Sequence, residues 1–327
     1  MKQSQDVFLV SAVLALAALV PATGNPYLIG VGFNLLMWIA LATSWSSFSS
    51  LTGFVSLGHV AFYGLGTYVT VLLWDVVPLP LALTAATLAG GAFALLIGIP
   101  VLRVRGPYFV ILTLGIAELL KNGVSLLESS LGEASRLILD APDLPVLYGL
   151  AWGAATVAIA IGYLLRRSPR WHLGLRAIRA NEEASAAAGI NASNLKLAAL
   201  LLSAVVPAFV GGISLLRSTY FEPNQAFSSM TSFTMIAMAI VGGGDALRGP
   251  VLGAIGLCLL QEVLWANLPQ LYPVVLGALL VVFVLFAPQG ISGLLDDLSA
   301  WRHARSQGRA QARKRIGTST TGSRRLP

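Results

Sequence analysis

Apolar residues run along this chain in long blocks with few charges, almost without relief from residue 7 to residue 287. Such blocks exceed the 4–8 residues of a buried strand and match the ~20 residues, at 1.5 Å rise each, that a helix needs to cross a bilayer core. Ten are delimited by glycine, proline or charge, at 7–22, 27–48, 53–74, 79–102, 107–127, 146–165, 195–216, 229–244, 249–267 and 272–287. The pattern predicts an all-α, polytopic transmembrane helical bundle of about ten spans, because only helices and closed barrels satisfy their backbone in lipid.

Composition agrees. Of 327 residues, 56% are hydrophobic and 11% charged, more apolar surface than a soluble core takes. The single cysteine, Cys258, falls inside a span and excludes an intrachain disulfide. The first span reads as a retained anchor, since "ALVPATGNP" lacks an A-x-A cleavage site and another span follows. Counting basic residues near span ends puts Lys2, Arg103, Arg105, Arg166, Arg167, Arg170, Arg176, Arg179, Lys196 and Arg248 on one side, with only Arg136 and Arg217 opposed. Both termini are therefore expected in the cytoplasm. The weakest span is 53–74, interrupted by Gly53, Gly58, Gly64 and Gly66; the parity of the basic loops argues that it crosses.

One membrane domain, 1–300, is followed by a basic tail, 301–327, with eight Lys or Arg and no acid. A run of like charge reads as disordered, with anionic lipid rather than nucleic acid as its neighbour. The outer loop 128–145 is acidic and is expected to carry a short surface helix. There is no phosphate-cradling glycine loop, no paired carboxylates and no Cys or His cluster, so no catalytic residue, resident cofactor or metal site is expected. Energy must come from a partner or an ion gradient. A faint internal echo, "SSLTGF" at 49–54 and "SSMTSF" at 228–233, hints at an inverted repeat of interrupted spans.

Between two apolar blocks lies "NEEASAAAGINASN", 181–194. Asn181 is a good N-cap, Glu182 and Glu183 complement the helix dipole, and Gly189 suits a left-handed C-terminal position. A helix over 182–188, about two turns and ~10 Å long, is unstable alone and needs a surface to lie against. Ala184, Ser185, Ala186, Ala187 and Ala188 make a thin rod that fits a groove on another protein, with Glu183 in reach of Arg179 at i,i+4. The alternative is a loop helix lying on its own protein.

Ionisable groups inside a span cost ~2.5–3.5 kcal/mol and need an explanation. Glu118 lies about 16 Å beyond Pro107, near the midplane, with Lys121 at i+3 and Asn122 beside them. They form either an ion pair locking the helix into the bundle or a polar station on a pathway. His59, after Gly58, is either a satisfied interior residue or part of that pathway.

The segments 53–69, 105–122, 175–204 and 241–254, in order and spacing over roughly 30–290, resemble branched-chain amino acid ABC transporter permeases of the LivM type. The stretch "EASAAAG", Glu183 to Gly189, is similar to the E-A-A-x-x-x-G coupling helix of such importers, with Ser185 in place of an alanine and no Leu-Pro after the glycine. The resemblance implies a homologous second permease subunit, two cytoplasmic ATPase subunits that bind the ATP, and a periplasmic substrate-binding protein. Glu183, Ala184, Ser185, Gly189 and Arg179 would then contact the ATPase, over a coupling segment of about 181–190. The solute would be a branched-chain amino acid, with urea or short amides as relatives' alternatives; a self-sufficient channel or ion-coupled carrier is the competing class.

Overall fold

A computed structural model describes residues 2–132, 135–267 and 269–271, with 274–275, 277–278, 281–282 and 290–293. The tail 301–327 and most of the tenth block lie outside these. The described residues are mostly helical: α1 (Lys2–Leu19), α2 (Pro26–Thr52), α3 (His59–Leu73), α4 (Leu79–Val101), α5 (Pro107–Ser130), α6 (Leu144–Arg167), α7 (Pro169–Ala180), α8 (Glu182–Ala187), α9 (Ala192–Ser218), α10 (Pro223–Ala226), α11 (Ser229–Gly242) and α12 (Arg248–Asn267). Among the described residues, seven helical stretches are long and apolar enough to cross a membrane, and α3 is a shorter apolar helix.

α2 and α9 form the centre. α2 packs along α6, α9 and α12, while α9 packs along α3 and α4. Between helices in lipid there is little hydrophobic drive, so close approach rests on small residues. A Cβ at Gly66 of α3 would lie 1.9 Å from the Ala208 carbonyl oxygen of α9, and one at Gly211 would lie 2.1 Å from that of Tyr63. α11 and α12 meet the same way through Gly242, Gly249 and Gly253. Several of the hydroxyls buried along α2 bond backbone carbonyls, as Ser47 does to Thr43 and Thr52 to Phe48, whereas Thr43 Oγ1 and Ser49 Oγ make no hydrogen bond among the described residues. α1 lies at the edge, tied by α6, whose Tyr148 hydroxyl and Trp152 ring N–H donate to the carbonyls of Ala17 and Leu14.

Two expectations change here. The third span begins later than residue 53: Gly53, at φ 79°, ends α2 in the left-handed region, and 53–58 run as a non-helical segment before α3. That backbone is satisfied from three sides. Trp45 donates to the Ser56 carbonyl, Ser232 to that of Leu57, and the Leu57 N–H donates to Thr113 Oγ1. The second change is in the outer loop. Between the end of α5 at Ser130 and the start of α6 at Leu144 the described residues form no separate helix; Arg136–Leu137 instead form β1, antiparallel to β2 (Tyr220–Phe221) after α9. Arg136 folds back to Glu128 at 2.7 Å, where Tyr68 also donates, so a charge that opposed the loop bias neutralises a buried acid.

The supposed echo separates too. "SSLT" closes α2 whereas "SSMTSF" opens α11, so the two are not equivalent positions, yet Ser232 of the second holds Leu57 just beyond the first.

Candidate functional site

The segment at 181–190 forms as its capping residues require. Asn181 Oδ1 accepts the N–H groups of Glu183 (3.0 Å) and Ala184 (3.1 Å). At the other end Gly189, at φ 84°, lets the Ile190 N–H reach the Ser185 carbonyl at 3.0 Å, closing the helix as a six-to-one turn. Asn191 caps α9 at once by accepting from Asn194 N–H. The loop is thus helix, four-residue connection, helix, with little slack.

Its two faces differ. Ser185 is buried and its hydroxyl donates back to the Glu182 carbonyl at 2.8 Å. Ala184, Ala186, Ala187 and Ala188 line the rod around it, and Glu183 is exposed over 85% of its side chain. The serine that departs from the family pattern therefore belongs to the inward face. The thin alanine rod lies against α7 and α9 beside an open apolar cleft of about 810 Å³, lined in part by Trp171, Leu173, Ile190 and Leu195.

The anchor is Glu182, not Glu183. Glu182 Oε1 accepts from Lys196 Nζ at 2.6 Å, and its Oε2 lies 3.2 Å from Arg105 Nε. Lys196 is only 2% exposed; it also donates to the Leu102 carbonyl at 3.1 Å and stands 4.7 Å over the Phe54 ring. A buried ammonium needs such company, because an unpaired charge away from water is costly. Glu183 reaches Arg105 at 3.7 Å and makes no ion pair with Arg179 among the described contacts. Arg179, expected to meet Glu183, instead turns to Ser50 O (2.7 Å) and Asp245 Oδ1 (2.6 Å). Nearby Arg166 donates to Ser46 Oγ and Gly244 O. The end of α2, the turn between α4 and α5, α8, the start of α9 and the turn before α12 are each held by such polar contacts.

The intramembrane groups separate into two places. His59, fully buried at the start of α3, bridges Ser56 Oγ (3.2 Å, through Nδ1) and Ser203 Oγ of α9 (3.3 Å, through Nε2). Gly58 lies against Thr113 of α5. Both ring nitrogens therefore have a serine partner. Glu118 and Lys121 form their ion pair, and Ser229 at the start of α11 donates to Glu118 Oε1 at 2.9 Å. Asn122 Nδ2 donates to the Glu118 carbonyl. These three are at least partly open on the surface of α5 and are not brought to His59. Sequence reasoning missed Glu182, Lys196 and Arg105 as a unit; the one available signal was Lys196, an ammonium near the start of a long apolar helix.

Among the described residues no group of three or more His, Cys, Asp or Glu side chains could hold a metal ion. The profile of a family described as the permease component of the branched-chain amino acid transport system matches residues 28–284. The chain is similar to the high-affinity branched-chain amino acid transport system permease protein LivM of Salmonella typhimurium, at 25% identity over 88% of this chain and 75% of that protein. It is similar to the protein of the same name from Escherichia coli, at 26% over the same shares. No solved structure matches it.

Proposed function

From its membership of the branched-chain amino acid transport system permease family, we propose that this multi-pass chain is one of two permease subunits of a binding-protein-dependent ABC importer in a bacterial inner membrane. It moves branched-chain amino acids and performs no chemistry itself. ATP is bound and hydrolysed by two separate cytoplasmic subunits, and a periplasmic protein delivers the solute to a path shared with a homologous second permease. The relatives' printed role supports the solute class.

The observation that carries the coupling role is α8: a capped helix of two turns, pinned on one side and open on the other. A self-sufficient carrier has no use for a capped alanine rod left open along one side. The topology follows as ten crossings with both termini cytoplasmic. The seven long stretches, segment 53–58 with α3, α12 and the block 272–287 make up the number. The gathering of Asp6, Arg248, Arg179, Arg166 and Lys196 at one end supports that count.

The test is co-purification of the tagged chain with its candidate ATPase from mild detergent. Wild type is expected to bring it down; Glu183→Arg and Gly189→Arg are expected to lose it while staying in the membrane. A chain that purifies alone and moves solute into liposomes without ATP would be a channel or carrier.

A further inference from the structure

Beside the non-helical segment 53–58 lies a second open cavity, of about 490 Å³, between that segment and the turn from α4 to α5. One wall is Gly53, Phe54 and Val55; the other is Gly106, Pro107, Val110 and Ile111. Gly53 and Gly106, one at the base of each wall, have positive φ, at 79° and 64°. Phe54 reaches across to Phe109, ring edge to face, with centroids 5.0 Å apart. The lining is apolar, and neither wall belongs to α8.

Both walls are nevertheless tied to α8 through one carboxylate. Glu182 holds Lys196, whose ammonium lies over Phe54 of the first wall and bonds Leu102 at the root of the second. The other oxygen of Glu182 meets Arg105, next in sequence to Gly106 of the second wall. A displacement of α8 therefore pulls two strings at once. The Lys196 contact is short, charge-assisted and buried and holds geometry; the Arg105 contact, at a half-exposed side chain, holds it more weakly.

We propose that Glu182 is the positioning residue through which α8 moves both walls of this cavity, making the cavity the inner gate of an apolar solute path. The inference rests on the ATPase-coupling reading of α8. Lys196 acts through Phe54 and Leu102, and Arg105 through the start of α5. Neither residue touches solute.

The experiment places a thiol probe in the cavity at Val55→Cys, in a chain carrying Cys258→Ala, assembled with its partner subunits in lipid nanodiscs. The rate of maleimide labelling is compared with the ATPase free and trapped by vanadate. With Glu182 and Lys196 present the two rates are expected to differ about tenfold, within the 5–150-fold span usual for coupled sites. In the double variant Glu182→Gln/Lys196→Met no buried charge is orphaned, so folding and ATPase co-purification should persist. The labelling difference should vanish there, and solute moved per ATP hydrolysed should fall by about the same tenfold factor. Should that variant fail to fold, Arg105→Ala, at a half-exposed position, cuts one string alone and is expected to shrink the difference. An unchanged labelling difference in either variant overturns the proposal. Loss of wild-type co-purification overturns the coupling reading instead, before any probe is added.

Discussion

α9 and α5 have nearly the same length, 27 and 24 residues, and both are apolar enough to cross a membrane. Within their most apolar stretches 72% of α9 is buried and only 17% of α5. Hydropathy alone does not set it, since the stretch Asp6–Thr23 is almost as apolar as α9 and only 6% buried; side-chain size at specific positions does. α9 carries Ala204, Ala208, Gly211 and Gly212 where α3 and α4 press against it, whereas a Cβ added at Gly115 or Gly123 of α5 would meet nothing within 4 Å. Around those glycines Tyr108, Ile111, Leu119 and Leu126 are exposed. In a solvent as apolar as leucine, hydrophobicity says that a helix is in the membrane, and small residues say what it is packed against.

The strongest way to break this comparison is to exchange the glycines' fates. Gly66→Leu drives a side chain into the Ala208 backbone, which cannot yield as a side-chain end can. The expected loss is at or beyond the ~3 kcal/mol usual for overpacking, so little folded chain should survive extraction into mild detergent. Gly115→Leu should change the stability of the chain alone by less than about 0.5 kcal/mol. If α5 is where the second permease docks, it should weaken subunit co-purification instead. Equal loss of folded chain in both variants, by size-exclusion yield, would sink the contrast.

His59 sharpens it next, because it joins α3 to α9 from within. His59→Phe removes both serine contacts, while Ser56 Oγ keeps the Gly58 N–H and Ser203 Oγ keeps the Leu200 carbonyl; about 1–3 kcal/mol is expected, read from unfolding in mixed micelles. Ser203→Ala should cost less, since it removes only the Nε2 contact of His59 and keeps the one to Ser56. A His59→Phe variant of wild-type stability but lost transport would move His59 from the interior to the pathway.

How much of this was legible beforehand follows the same division. The described blocks of the apolar pattern became helices with ends shifted by a few residues, because length and hydropathy are local properties. The caps of α8 were legible for the same reason: Asn181 and Gly189 act within one turn. Segment 53–58 was legible only as a weak, glycine-interrupted start of a span, since "GFVSLG" is as apolar as a helix and its break is held by Trp45, Thr113 and Ser232 from three other places. The choice between Glu182 and Glu183 was not legible. Adjacent acids at a helix start look alike until Lys196 and Arg105 are brought to one of them. The anchoring half of the candidate site is made by tertiary contacts, and its exposed half by local ones.

The smallest effect separates what remains open about α5. Glu118 and Lys121 are partly exposed in this chain, so the pair is worth only about 1 kcal/mol or less here, and Lys121→Met should cost no more than that. The cost would rise if the second permease covers this face, because burial strips the water that now shares the charge. In the assembled pair Lys121→Met should then destabilise more than in the isolated chain, and Glu118→Gln/Lys121→Met should recover most of the loss, since a neutral pair leaves no orphan. Unfolding midpoints of the chain alone and of the co-purified pair measure both. A double variant as unstable as the single would mean that the face stays wet, making Glu118, Lys121 and Asn122 groups that meet solute rather than groups that hold helices.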